Sequence, residues 1–427
     1  MLRITKAPRL QGTITVPGDK SISHRAIMLG SLAKGRTEIH NFLTGEDCLS
    51  TAKCFQAMGI TMEGLGSTTV TIHGQGLSGL SEPIDVLDVG NSGTTMRLMM
   101  GILAGQPFFS AVTGDSTIRR RPMGRVTKPL GEMGAKIWGR EGGTLAPLAV
   151  QGTALSPIHY KSTVASAQVK SAVILAGLYC DGETGITEPI KSRDHTERML
   201  RYFGGQIQEA GNQVTVTGRP ELKGRKVIVP GDISSAAFFL VAASIVPNSE
   251  LLLQNVGINP TRDGILEVLA GMGANFQLLN QREESGEPVS DILVKSSPLR
   301  GITIGGDIIP RLIDEIPVLA VAAALAEGET IIKDAQELKV KETNRITAIV
   351  NELTKFGVEV EELPDGLRIR GGKPLQGAHC ESYHDHRMAM SMAVAGMLAE
   401  GETIITNPEC VNISFPGFAQ LLHSLTG

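Results

Sequence analysis

Val16-Pro17-Gly18-Asp19-Lys20-Ser21-Ile22-Ser23 has an echo in Val229-Pro230-Gly231-Asp232-Ile233-Ser234-Ser235-Ala236. The two stretches lie 213 residues apart, half of the 427-residue chain. In each, a Pro-Gly turn and an aspartate lead into a Ser-rich helix start. A smaller unit recurs around them. It consists of a polar turn, an apolar helix of small residues, a strand, and a second helix that closes on an aromatic or Met residue plus glycine. The closing glycines are Gly59, Gly134, Gly204, Gly273, Gly357 and Gly427, spaced by 75, 70, 69, 84 and 70 residues. The chain therefore reads as a duplicated half, each half built from three copies of the unit.

Units of roughly 70 residues exceed the period of common solenoid arrays. Three of them can instead close a domain of ordinary size. The expected N-terminal domain covers 19–229, and the expected C-terminal domain combines 1–18 with 230–427. The strand before residue 19 then belongs with the C-terminal half. The crossings near 16–20 and 229–232 read as a hinge of small, turn-forming residues, with two ordinary turns as the plainer alternative.

Composition points to a water-soluble enzyme of a reducing compartment, hence the cytoplasm. Hydrophobic residues make up 41% of the chain, enough for two cores. No unbroken run of about 20 apolar residues suggests a membrane span, and the start Met1-Leu2-Arg3-Ile4-Thr5 lacks an apolar signal segment. Five cysteines are scattered without CxxC spacing, which fits buried, unpaired thiols. A net charge of −4 and 4% aromatics leave little for nucleic-acid binding, so any anion site must be made locally. Polar Gln281–Ser290 reads as a surface loop between strands, and a monomer is expected.

The first helix of each copy contains, in order, Ser23-His24-Arg25-Ala26-Ile27-Met28-Leu29, Thr94-Thr95-Met96-Arg97-Leu98, Ala167-Gln168-Val169-Lys170-Ser171, Ser235-Ala236-Ala237-Phe238, Glu315-Ile316-Pro317-Val318 and Arg387-Met388-Ala389-Met390. These helices are apolar nearly all round, so they belong inside, with sheets outside. Their starts are polar. Ser, Asn, Asp and Thr there are explained as N-caps. Capping does not explain Lys20, Arg25, Arg97, Arg121 or Arg387, since a cation beside a buried helix is costly without partners. If the helix starts converge, free N–H groups, dipoles and cations together make a site for multiply charged anions. Asp115 to Pro122 adds Arg119, Arg120 and Arg121, with a solvated loop as the bland alternative. Lys341 and Arg345, four apart in Lys339-Val340-Lys341-Glu342-Thr343-Asn344-Arg345, are expected on one side of the first turn of an amphipathic helix. A surface salt-bridge network is the alternative there.

Two motifs are discounted. Gly74-Gln75-Gly76-Leu77-Ser78-Gly79 matches GxGxxG, but Pro83 blocks the helix that a dinucleotide site needs. His384-Asp385-His386 lacks a fitting set of further metal ligands. No GxxxxGK[ST] occurs, so no P-loop holds phosphate.

Five ordered motifs carry a resemblance. Pro17–Arg25, Gly90-Asn91-Ser92-Gly93-Thr94-Thr95-Met96-Arg97, Arg121-Pro122-Met123-Gly124, Lys341–Arg345 and Asp385-His386-Arg387-Met388-Ala389-Met390 resemble the EPSP synthase (3-phosphoshikimate 1-carboxyvinyltransferase) family, end to end. The resemblance implies an α/β fold of two inside-out domains, each of three similar units, closing on substrate. It implies enolpyruvyl transfer from phosphoenolpyruvate to the 5-hydroxyl of shikimate 3-phosphate, with no metal and no organic cofactor, and glyphosate as an inhibitor on the phosphoenolpyruvate side. By the same resemblance, Lys20, Ser21, Arg25, Ser166, Gln168, Arg193, Asp314 and Lys341 bind shikimate 3-phosphate. Lys20, Asn91, Gly93, Arg121, Gln168, Arg345 and Arg387 bind phosphoenolpyruvate. Asp314 resembles the base for the attacking hydroxyl, Glu342 a proton-transfer partner at the methylene carbon, and Lys20 a proton-moving contact of both substrates. Two positions depart from the pattern. Ala167 stands where some members have a second Ser, and Ile413 where many have a Lys. Two rivals are a UDP-N-acetylglucosamine enolpyruvyltransferase and a non-catalytic anion-binding module. The first usually has Lys-Asn at the first helix and a Cys near residue 115, where this chain has Lys20-Ser21 and no Cys between Cys54 and Cys180. The second leaves Asp314 and Glu342 unexplained.

Overall fold

Six helices carry the apolar small-residue stretches in the computed structural model, which describes residues 1–426. They are α1 (Lys20–Leu32), α2 (Gly93–Ala104), α3 (Ala167–Gly177), α4 (Ile233–Ile245), α5 (Ile316–Leu325) and α6 (His386–Gly396). Every residue of α6, and α4 from Ile233 to Ser244, is buried. A helix with no polar face has nowhere to go but the interior. Small residues let these helices approach closely. A Cβ on Gly101 of α2 would lie 2.1 Å from the Ala172 carbonyl oxygen of α3, so the two backbones pack directly together.

The strands lie around these helices. Among the described residues they form six small sheets, three in each of the two units into which the chain divides. In the N-terminal half one sheet runs Lys226–Ile228, Lys34–His40, Thr69–Gln75, Thr61–Glu63. Its first pair is parallel and the rest antiparallel. The same pattern recurs in the sheets built on Phe109–Thr113 and Glu183–Thr187. Burial alternates along the strands, as with Val70 and Ile72, so one sheet face covers the helices and the other meets water. The chain's opening strands join C-terminal ones: Leu2–Thr5 pairs antiparallel with Glu402–Thr406, and Gln11–Thr15 pairs parallel with Glu250–Gly257.

The chain divides into two units, each with its own apolar core. One comprises Met1–Pro17, Pro230–Glu283 and the chain from Pro288. The other comprises Gly18–Val229 together with Glu284–Glu287. This last segment departs from the expected 230–427 domain, and the expected loop over Gln281–Ser290 is corrected with it. Strands Asn275–Glu284 and Glu287–Lys295 run through that stretch. Ser285 (φ 51°) and Gly286 (φ 84°) join them in a two-residue hairpin turn. The polar residues that suggested a loop are the outward faces and tip of a hairpin. The tip is tied to the N-terminal unit, where Ile228 N–H donates to Ser285 Oγ (2.9 Å) and Arg198 to the Gly286 carbonyl (3.3 Å).

The closing glycines supply left-handed backbone at helix ends. Gly59, Gly134, Gly204, Gly273 and Gly357 have φ between +84° and +97°. Gly427 lies outside the described residues. The last helix, Phe418–Leu425, is followed by Thr426 rather than by an aromatic or Met. All five cysteines are buried and free, and among the described residues no helix is long and apolar enough to cross a membrane.

Candidate active site

The inner-helix starts are capped as their residue types demand. Asp19 Oδ1 accepts from Ile22 N–H (2.9 Å), Ser92 Oγ from Thr95 N–H (3.1 Å) and Asp385 Oδ1 from Arg387 N–H (2.9 Å). Behind the first two caps runs a buried chain of side chains. His24 Nδ1 lies 2.7 Å from Thr51 Oγ1, which lies 2.6 Å from Thr95 Oγ1, which donates to Ser92 Oγ at 2.6 Å. Burial, aided by Lys20 and Arg25, pushes His24 well below the usual imidazole range, so this chain is neutral at pH 7.

The cations that capping did not explain have partners. Lys20 Nζ lies 3.1 Å from Asp47 Oδ2 and is about one-fifth exposed. Arg25 donates to Thr196 Oγ1 (2.6 Å), Ser171 Oγ (2.9 Å) and the Ser21 carbonyl (3.0 Å). Burial lowers its guanidinium to about 10, against which Glu197 and Asp19 pull upward, so it stays charged at neutral pH. The charge of half-buried Arg193 also bears on Arg25. Arg97 joins Gln168 Oε1 (2.7 Å), and Gln168 Nε2 reaches Thr94 Oγ1 (3.2 Å), so the starts of α2 and α3 are linked. Asn91 donates to Asp115 (2.7 Å) and Thr117, and Arg121 approaches Asn91 Oδ1 at 3.5 Å. Gly93 lies beneath this group. A Cβ there would sit 3.1 Å from Arg97 Nη1 and 3.2 Å from Arg121 Nη1. Ser166 caps α3, and its own N–H donates to Glu188 Oε1 (3.0 Å). Lys20, Ser21, Arg25, Asn91, Gly93, Arg121, Ser166, Gln168 and Arg193 thus all fall in the N-terminal unit.

The C-terminal unit holds a second cluster. Asp314 lies just before α5, and three cations converge on its Oδ1. These are Arg345 Nη1 (3.2 Å), Lys341 Nζ (3.3 Å) and Arg387 Nε (3.9 Å). Arg345 is 1% exposed and straddles Asp385 through Nε (2.8 Å) and Nη2 (3.2 Å), while Nη2 also meets Glu342 Oε2 (2.7 Å). Those three carboxylates overcome the burial penalty and raise its guanidinium above the usual range. Glu315 is 1% exposed, with Ser234 on Oε1 and Arg387 Nη1 at 3.9 Å. Lys341 and Glu342 are not on the first turn of the helix, as their spacing suggested. Asn344 caps a helix that starts at Arg345, and Lys341 is extended. The two cations still meet, through Asp314 rather than through helical spacing.

Sequence reasoning missed Asp47, Thr51, Thr196, Glu188 and Glu197. Their partners are distant in the chain, and no local pattern announces them. Lys170 in an otherwise apolar helix was the one available signal. Ile413 packs partly buried against the C-terminal core, and Ala167 is the first residue of α3. Strand Thr69–Gln75 runs into Gly76 (φ 84°) with no helix after the GxGxxG match, and Asp385 of the His-Asp-His stretch is engaged by Arg345. Among the described residues no group of His, Cys, Asp and Glu could hold a metal ion.

Comparison with known proteins agrees along the chain. Residues 4–422 match the family model described as EPSP synthase (3-phosphoshikimate 1-carboxyvinyltransferase). The chain is 63% identical over 422 residues to the 3-phosphoshikimate 1-carboxyvinyltransferase of Pelotomaculum thermopropionicum, covering 99% of this chain and 98% of that one. It is 59% identical over 424 residues to the protein of that name in Desulforamulus reducens, covering 99% of each. Among solved structures, an EPSP synthase from Acinetobacter baumannii superposes with a TM-score of 0.90 at 45% identity, covering 100% of this chain and 98% of that one. The enolpyruvyl transferase NikO from Streptomyces tendae shares the fold at a TM-score of 0.79 and 18% identity, covering 99% and 96%.

Proposed function

The chain belongs to the EPSP synthase (3-phosphoshikimate 1-carboxyvinyltransferase) family, and from that premise we propose how its two clusters divide the work. The enzyme transfers the enolpyruvyl group of phosphoenolpyruvate to shikimate 3-phosphate in the shikimate pathway, which leads to the aromatic amino acids. The acceptor hydroxyl adds to the carbon that bears phosphate while the methylene carbon gains a proton. Loss of phosphate and of a methyl proton then restores the double bond. Both substrates are small and multiply anionic, so the machinery is chiefly placed charge and placed proton carriers.

Shikimate 3-phosphate is assigned to Lys20, Ser21, Arg25, Ser166, Gln168 and Arg193, with Asp314 and Lys341 at the reacting end. Phosphoenolpyruvate is assigned to Lys20, Asn91, Gly93, Arg121, Gln168, Arg345 and Arg387. Asp314 takes the hydroxyl proton, and Glu342 and Lys20 serve the methylene carbon. The observation that carries this reading is the convergence of Lys341, Arg345 and Arg387 on Asp314. Arg345 and Arg387 are held in turn by Asp385, Glu342 and Glu315, so the cations are fixed in place around the carboxylate that this reading makes the base. Phosphate release with phosphoenolpyruvate and either shikimate 3-phosphate or UDP-N-acetylglucosamine tests it. Release with the sugar nucleotide alone would refute the reading.

Two outcomes follow for single residues. Gly93 has no positive φ, so Gly93→Ala meets no backbone penalty and acts only by crowding Arg97 and Arg121. Overpacking of about 1–3 kcal/mol corresponds to a loss of about 5- to 150-fold in affinity for phosphoenolpyruvate and for glyphosate, which we place on the same side. Shikimate 3-phosphate affinity, titrated in parallel, should hold; equal loss for all ligands would contradict the placement. For Glu342→Gln, exchange of the phosphoenolpyruvate methylene protons with deuterated solvent, followed by NMR, should slow by about 10²-fold. Unchanged exchange would leave Glu342 as an ion-pair partner of Arg345 only.

A further inference from the structure

Lys170 lies in α3, where it is the one charged residue, and is fully buried. Its ammonium lies 2.7 Å from Glu197 and 3.1 Å from Glu188, and it donates to the Ser192 carbonyl at 3.2 Å. Glu188 and Glu197 are 3% and 0% exposed. A buried ion pair is weak as a stabiliser, because apolar residues of similar size commonly do as well. Three buried charges in one place therefore call for another explanation, and their neighbours supply it.

Each member of the triad touches a group assigned above to shikimate 3-phosphate or adjoins a residue that holds one. Glu188 Oε1 accepts the N–H of Ser166, while its Oε2 accepts from the Ser192 N–H (3.1 Å) and hydroxyl (2.8 Å). Lys170 is followed by Ser171, and Glu197 is preceded by Thr196. Ser171 and Thr196 lie 2.6 Å from each other and are the two hydroxyls that hold Arg25. The Lys170–Glu197 pair therefore ties α3 to the outer helix His195–Tyr202 at the level where the two clasp Arg25. Burial raises the Glu197 carboxyl above its usual range, and the Lys170 ammonium is the main group pulling it back, helped by the residue's own backbone N–H. The Glu197 charge is the largest one opposing the effect of burial on Arg25.

We propose that Lys170, Glu188 and Glu197 form a positioning unit for the phosphate-bearing substrate: the lysine fixes two carboxylates, of which one anchors Ser166 and the other stands behind Arg25. The inference rests on the placement of shikimate 3-phosphate given above. None of the three touches the ligand; each acts through Ser166, Ser171, Thr196 or Arg25. The chemistry recognised is the substrate's phosphate dianion, and Asn91, Gly93, Arg121, Arg345 and Arg387, assigned to phosphoenolpyruvate alone, take no part.

The test measures binding of shikimate 3-phosphate to the whole enzyme by calorimetry, with phosphoenolpyruvate KM as a second readout. Lys170→Met/Glu197→Gln keeps the net charge of the triad while removing the tie. Its shikimate 3-phosphate affinity should fall about ten-fold or more, the size expected when support from a charged hydrogen bond is lost. Phosphoenolpyruvate KM should stay within about two-fold, since Asn91, Gly93, Arg121, Arg345 and Arg387 share no contact with the triad. Lys170→Arg keeps the cation and should retain most of the affinity. Glu188→Gln leaves the Lys170–Glu197 pair intact and should also weaken the ligand, which keeps the proposal open to refutation if the double variant does not fold. Arg25→Gln is the control for placement. If Arg25→Gln leaves the affinity unchanged, the substrate placement and this inference fall together. If it weakens binding while a folded double variant or Glu188→Gln binds within two-fold of wild type, only the positioning unit falls. Lower melting temperature with unchanged affinity would likewise make the triad structural and overturn the proposal.

Discussion

Asp314→Asn is expected to abolish transfer while leaving shikimate 3-phosphate bound. The amide keeps the size of the carboxylate but cannot take the proton of the attacking hydroxyl. One positioned base is worth about 10²–10⁴-fold, so turnover should fall into that range or below it. The fold should survive. Arg345, the more deeply buried of two buried cations against Asp314, keeps its two contacts to Asp385 and one to Glu342, and Arg387 keeps Glu315 nearby. Lys341 is about one-quarter exposed and retains access to water. Phosphate release in a rapid-quench assay and calorimetric binding, run on the same preparation, decide the matter. Turnover within ten-fold of wild type would remove Asp314 from the chemistry. Lost binding together with lost turnover would make it a structural counter-ion for its three cations.

The second large effect is expected at Lys20. Lys20→Met preserves reach and removes the charge that the proposal puts against both substrates. Turnover should drop by at least roughly 10², or about 2.7 kcal/mol of barrier. The variant also leaves Asp47 without its cation. Asp47 is 8% exposed, and its Oδ1 is already without a hydrogen-bond partner. Some loss of stability should therefore accompany the loss of rate, and Asp47→Asn reports that part separately. If Lys20→Met turns over near the wild-type rate at a temperature where it is folded, the first helix start has no part in the reaction.

How much of this was legible depended on whether the cause was local. Gly59, Gly134, Gly204, Gly273 and Gly357 could be read because a left-handed helix end imposes itself on one residue. The inner helices could be read because composition alone denies them a wet face. Asp19, Ser92, Asp385 and Asn344 act as caps within three residues of themselves. The hairpin through Ser285-Gly286 was hidden because its strands carry polar residues outward, which a loop also does. Lys341 was misplaced on a helix because a four-residue spacing has meaning only after the helix has begun. Asp47, Glu188 and Glu197 could not be found at all. Their partners Lys20, Ser166 and Lys170 lie 22 to 27 residues away, across a strand and a turn. Only the tertiary arrangement makes them neighbours.

The pairing of Leu2–Thr5 with Glu402–Thr406 bears on how the polypeptide is made. Leu2–Thr5 leaves the ribosome long before its partner strand is made. Gly18–Val229 can meanwhile gather its helices and outer sheets, since domains form as units during synthesis in N-to-C order. A nascent chain held just past Val229 would already contain the full clasp around Arg25, while the seventeen residues before Gly18 would trail without a sheet to join. Translation thus lets Gln11–Thr15 find its sheet first, beside Glu250–Gly257, and Leu2–Thr5 only much later.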